Sequence, residues 1–115
     1  MNIVFIREGK WDYFFGRVAS TPANQARSIQ NKENLLALGI DEENNGRDRL
    51  LEIFEAGLDA PQTEQRVDSY GTTISRRIQI RNGAVEGDIT VRYLYRGGDL
   101  SSIPEVTSIL PRVYR

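Results

Sequence analysis

The chain has 115 residues, one domain's length, with 39% hydrophobic and 27% charged side chains, enough apolar content to fold around a single core. Its 15 Lys and Arg against 16 Asp and Glu leave a formal net charge of -1. There is no Cys and no His, which excludes a disulfide framework, a thiolate zinc site, a Cys nucleophile, a Ser-His-Asp triad and any imidazole base or ligand.

In chain order, Asn2 to Arg7 is a short β-branched run, and Glu8-Gly9-Lys10 resembles a turn before the aromatic stretch Trp11 to Phe15. Together they predict a short strand or hairpin over residues 2–15. Trp11, Tyr13, Phe14 and Phe15 would be either core or an apolar patch for a partner.

A helix is predicted over about 21–38, capped by Ser20 or Thr21, with Pro22 at its first turn and Gly39 at its end. Ala26, Ile29, Leu36 and Leu38 recur at roughly helical spacing, and Asn24, Arg27, Ser28 and Asn31 form a polar stripe opposite them. A second helix is predicted over about 44–58, opened by the acidic segment Asp41 to Asn45 with Asp41 or Asn45 as its cap, with Leu50, Leu51, Phe54 and Leu58 inward and Gly57 and Pro61 stopping it.

The rest is β in character, an antiparallel meander over about 64–114. Ile74, Arg76, Ile78 and Ile80 alternate with Ser75, Arg77, Gln79 and Arg81. Asn82-Gly83 signals a hairpin, with a loop running on to Gly87-Asp88 as the alternative. Ile89, Val91, Tyr93 and Tyr95 then line one face of the next strand, with Thr90, Arg92 and Leu94 on the other. Pro111, lacking an amide donor, puts the last strand at an edge. The fold class is α+β: one domain, residues 1–115, with two N-terminal helices packed on a three- to four-stranded antiparallel sheet.

Charge is distributed unevenly. Residues 1–65 hold 7 basic and 11 acidic side chains, net -4, and residues 66–115 hold 8 basic and 5 acidic ones, net +3. All eight basic residues of the second half are Arg, the side chain suited to bidentate phosphate contact. Asp41, Glu42 and Glu43 are consecutive and diverge around a helix start, so no metal and no cofactor is expected. No apolar run reaches the roughly 20 residues of a membrane span, and no signal peptide is visible, so no membrane partner is expected either.

The motifs Phe15-Gly16-Arg17, then Asn24, Arg27-Ser28 and Gln30-Asn31 along the first helix, Gly39-Ile40, Arg47, and Tyr70-Gly71 resemble the C-terminal toxin domain of bacterial polymorphic toxins, the secreted or contact-delivered proteins with exchangeable ends. Thr107, Ile109 and Pro111 fit its last strand, so the resemblance spans roughly residues 13–112. Ala23 stands where that pattern has a His before the helix Asn. Helices followed by an antiparallel sheet are also similar to the barnase–RelE class of small ribonucleases.

The resemblance implies an RNA-directed effector, a metal-independent ribonuclease acting in the cytoplasm and delivered as part of a longer protein. A cognate immunity protein and RNA would be its partners. Without His, Tyr and Glu would share proton transfer while Arg supplies positive charge to the developing phosphorane. The candidate catalytic residues are Arg17, Arg27, Asn31, Tyr70 and Arg77, and the candidate substrate-binding residues are Asn24, Gln30, Arg81, Arg92 and Arg96, gathered where the first helix meets the sheet. The alternative is a non-catalytic protein-interaction module with the same fold, an inactive relative of the toxin domain.

Overall fold

A computed structural model describes residues 3–18 and 20–114. Three helices come first: α1 (Glu8–Phe14), α2 (Pro22–Ala37) and α3 (Gly46–Gly57), with a 3-10 turn at Glu42–Asn44 before α3. Four strands follow: β1 (Gln62–Asp68), β2 (Gly71–Asn82), β3 (Val85–Arg96) and β4 (Glu105–Val113), all antiparallel in the order β1-β2-β3-β4. The expected α+β architecture is what forms, with the sheet complete at four strands.

The first of the three helices was not expected. Residues 8–14 are helical rather than part of a strand or hairpin, and of the preceding run only Phe5 pairs, through a single parallel bridge to Glu105. Asn2 lies outside the described residues. The reason is spacing: Trp11, Phe14 and Phe15 stand three and four apart, so a helix turns all three inward together. Trp11 meets Phe14 edge-on at 5.8 Å and Phe15 in a stack at 6.1 Å, and Phe14 meets Phe54 of α3 at 6.0 Å. These rings are core and do not form an exposed partner patch.

The start of α2 follows its sequence signals. The Thr21 hydroxyl accepts the Asn24 amide at 3.1 Å, and Pro22 occupies the first turn. Which face it buries does not. Ile29 and Leu36 are exposed, whereas Ser28, Asn31, Leu35 and Leu38 are buried. The polar positions turn inward because α1 ends beside them. The Ser28 hydroxyl donates to the Tyr13 carbonyl at 2.8 Å, completing a helix end that has no following turn to bond to. Asn34 donates to the Pro111 carbonyl at 3.0 Å and ties α2 to β4.

Asp41 caps the 3-10 turn, its carboxylate accepting the Glu43 amide at 3.1 Å, so the acidic segment precedes α3 instead of opening it. In α3, Leu50, Ile53 and Phe54 are fully inside. Tyr93 reaches across from β3 and donates to the Phe54 carbonyl at 2.7 Å. That oxygen needs a partner because Leu58, four residues on, gives its amide to Glu55 and Ala56 instead. Gly57 permits this approach, since a Cβ there would stand 2.5 Å from the Tyr93 hydroxyl and overlap Ile78.

The two faces of the sheet divide as the alternation predicts. Ile74, Ile80, Ile89, Val91, Tyr93 and Tyr95 join the helices in one core. Ser75, Arg77, Gln79 and Arg81 share the opposite face with Arg92, Thr90, Asp88 and Glu86, to which they are respectively paired in register. Pro111 lies in β4, an edge strand, as expected.

Candidate functional site

Where α2 passes the free edge of β4, its polar stripe and the helix-free face of the sheet enclose a hollow of about 300 Å³. Arg27, Gln30 and Asn31 enter it from α2, Tyr13 from α1, Thr90 and Arg92 from β3, and Ser108, Ile109 and Leu110 from β4. Two of its guanidinium groups thus come from stretches 65 positions apart in the sequence, and neither Arg27 nor Arg92 forms an ion pair with a described residue. No acid of α3 pairs with Arg27 among the described residues.

Asn31 is the most constrained member. It is 6% exposed, and its carboxamide has no hydrogen-bond partner among the described residues. Asn31 lines the hollow. A buried carboxamide in this state keeps a donor and an acceptor available to a ligand. Gln30 is partly committed, donating to Asn34 at 3.1 Å.

The other candidates lie elsewhere, and all but Tyr70 are occupied. Arg17, at the exit of α1 after Gly16 in the left-handed region (φ 79), pairs with Asp12 at 2.9 Å and with Glu42. Asn24 belongs to the start of α2, donating to Ser20 at 3.2 Å. Tyr70 stands exposed in the β1–β2 turn. Arg81 pairs with Glu86, its direct cross-strand neighbour. Arg96 and Arg7 hold the buried Glu105 carboxylate between them, at 2.7 and 2.9 Å. Burial opposes ionisation of Glu105, but these two guanidiniums outweigh it and keep its carboxyl below the usual range.

Arg77 belongs to a second cluster on the same sheet face. Asp88 is fully buried there, accepting two hydrogen bonds from Arg112 at 3.1 and 2.7 Å and one from the Tyr114 hydroxyl at 2.6 Å, with Arg77 at 3.8 Å. Burial would raise the Asp88 pKa, yet Arg112, Tyr114 and Arg77 together hold it down, and the bond to Asp88 in turn raises that of Tyr114. The charges are satisfied within this cluster. Arg47, another residue of the resemblance, lies over the Trp11 ring at 5.0 Å and pairs with Glu8 at 2.9 Å.

Of ten candidate residues, four meet in one place: Arg27, Gln30, Asn31 and Arg92. Tyr13, Thr90, Ser108, Ile109 and Leu110 were not anticipated. Thr90 was legible as an outward neighbour of Arg92 two positions along β3, whereas Tyr13 became reachable only once residues 8–14 were known to be helical. Among the described residues no three carboxylates or other metal-binding side chains gather, and no helix is long and apolar enough to cross a membrane.

No protein-family model matches the chain, and no curated protein does. Among solved structures it is similar to a chain of a contact-dependent growth inhibition toxin–immunity protein complex from Klebsiella pneumoniae 342. The match has a TM-score of 0.75 at 18% identity and covers 93% of this chain and 98% of that one. At that identity the likeness establishes the fold.

Proposed function

We propose that this chain is an RNA-directed effector domain of the toxin type, acting as a metal-independent ribonuclease through the hollow between α2 and β4. The observation that carries this reading is the pair Arg27 and Arg92, two guanidiniums without carboxylate partners among the described residues, facing one hollow. The planar fork of Arg matches the geometry of phosphate oxygens bidentately. The fold shared with a chain of a growth-inhibition toxin–immunity complex supports the same reading, and suggests delivery from another cell and an inhibitor protein as partner.

In the proposed reaction the ribose 2′-hydroxyl loses its proton and attacks the adjacent phosphorus. The 5′-oxygen leaves with a proton, giving a 2′,3′-cyclic phosphate. Arg27 and Arg92 bear the charge that develops on the phosphoryl oxygens, often the largest catalytic contribution. Neither a carboxylate nor an imidazole lines the hollow, so proton transfer falls to hydroxyls, of which Tyr13 is the phenolic one.

A second reading, a non-catalytic interaction module, is favoured by that same lack of a strong base and by Ala23 one turn before Arg27. It is also favoured by the exposed apolar side chains Ile3, Phe5, Leu100 and Ile103. Inducible expression in bacteria separates the two. An effector slows growth and Arg27→Ala relieves the effect. A module leaves growth unchanged and is recovered with one stoichiometric protein partner.

A further inference from the structure

The hollow holds more than a phosphate requires. A phosphate clamp needs converging donors, but the lining of this hollow also includes Tyr13, Ile109 and Leu110, beside Asn31, whose carboxamide has no hydrogen-bond partner among the described residues. Its volume of about 300 Å³ is at the small end of sites that take a small organic ligand. A lining that combines one aromatic residue, apolar residues, a carboxamide and two arginines matches a nucleobase attached to its backbone. The ring offers a stacking face, and every base has a π-face to lay on it. The carboxamide presents one donor and one acceptor, which complement the adjacent acceptor and donor of a Watson–Crick edge.

We infer that the hollow is a nucleobase subsite that takes one unstacked base of single-stranded RNA, seated against Tyr13 and hydrogen-bonded by Asn31, while Arg27 and Arg92 hold the phosphates beside it. This rests on the RNA reading above and narrows it. A base inside an A-form duplex is stacked, its Watson–Crick edge is paired and its major-groove edge lies in a groove that side chains cannot read. Only a strand whose base can swing out fills the hollow. Duplex RNA keeps the phosphate contacts and loses the rest.

The test compares three ligands of equal length by fluorescence anisotropy with purified protein: a single-stranded RNA, the same sequence as a duplex, and an abasic ribose-phosphate strand. The inference expects the single strand to bind about tenfold tighter than either of the others, the scale of one base–aromatic stack. Tyr13→Leu keeps apolar bulk but removes the aromatic face. It is expected to bring the single strand down to the abasic level without changing abasic binding, whereas Arg92→Ala weakens all three. Abasic or duplex RNA binding as tightly as the single strand overturns the subsite and leaves the phosphate clamp standing. Binding of none of the three overturns the RNA reading itself, and the subsite with it. The wild-type comparison decides the matter even if Tyr13→Leu fails to fold.

Discussion

Replacing Arg92 by Ala tests whether the guanidiniums of the open sheet face act as a bulk charge or as individual contacts. Arg92 lines the hollow without an ion pair to a described residue, whereas Arg81, six register positions along the same face, is neutralised by Glu86. Each phosphate neutralised on a single strand contributes about 0.7 to the fall of log K with log salt. Arg27 and Arg92 therefore account for about 1.4 of that slope, and Arg92→Ala makes it shallower by about 0.7. A hydrogen bond to a charged group is worth about 1.5–3 kcal/mol, so affinity at low salt falls roughly tenfold to a hundredfold. The double change Arg81→Ala with Glu86→Ala removes a neutral pair, and slope and affinity stay close to wild type. Anisotropy titrations of a labelled single-stranded RNA from about 50 to about 200 mM salt give all three slopes. The reasoning is refuted if Arg92→Ala leaves the slope unchanged, or if removing the Arg81–Glu86 pair alters it as much.

Three further outcomes concern the frame that holds the hollow. Tyr93→Phe removes the one donor that reaches the Phe54 carbonyl from the sheet, and urea unfolding is expected to show a loss of about 1–3 kcal/mol. Gly57→Ala, which in an open helix would stabilise, should instead cost about 1–3 kcal/mol, because its Cβ meets the Tyr93 hydroxyl and Ile78; a gain in melting temperature would contradict the packing. Asp88 and Glu105 are both held below their unfolded pKa values, so their contribution is fully present above the unfolded range near pH 4 and is lost as pH falls through the lower folded values. Melting followed against pH should therefore show a steep acid limb, and Asp88→Asn should flatten it.

The sheet was legible because its signals are local. The Asn82-Gly83 signal marks the hairpin, though Asn82 itself pairs with Val85 and the two-residue turn is Gly83-Ala84, with Gly83 in the left-handed region (φ 59), and the alternation of Ile78 and Ile80 with Arg77 and Arg81 fixes which face is wet. The helix over residues 8–14 was not, because Glu8-Gly9-Lys10 carries turn chemistry and aromatic residues have strand propensity. The three-and-four spacing of Trp11, Phe14 and Phe15 was the overriding signal. The inward turn of Ser28 and Asn31 depended on that helix, since the Tyr13 carbonyl that Ser28 satisfies belongs to it.

The candidate site was half legible for a related reason. A count of Arg residues cannot separate free cations from paired ones. Strand register does: Arg81 stands opposite Glu86, and Arg112 opposite Asp88. Arg92 stands opposite Ser75 on one side and Ser108 on the other, and so keeps its charge. Arg17 and Arg96 are quenched by Asp12, Glu42 and Glu105, contacts that depend on how α1, the 3-10 turn and β4 come together.

The most direct measurement is incubation of purified protein with bacterial total RNA in the presence of a chelator, beside the Arg27→Ala/Arg92→Ala double variant. The account predicts discrete cleavage by the wild-type protein, products ending in 2′,3′-cyclic phosphate, and their loss in the variant while its melting temperature is kept. RNA left intact by the wild type across a wide protein concentration range, or cut equally by the variant, would contradict it.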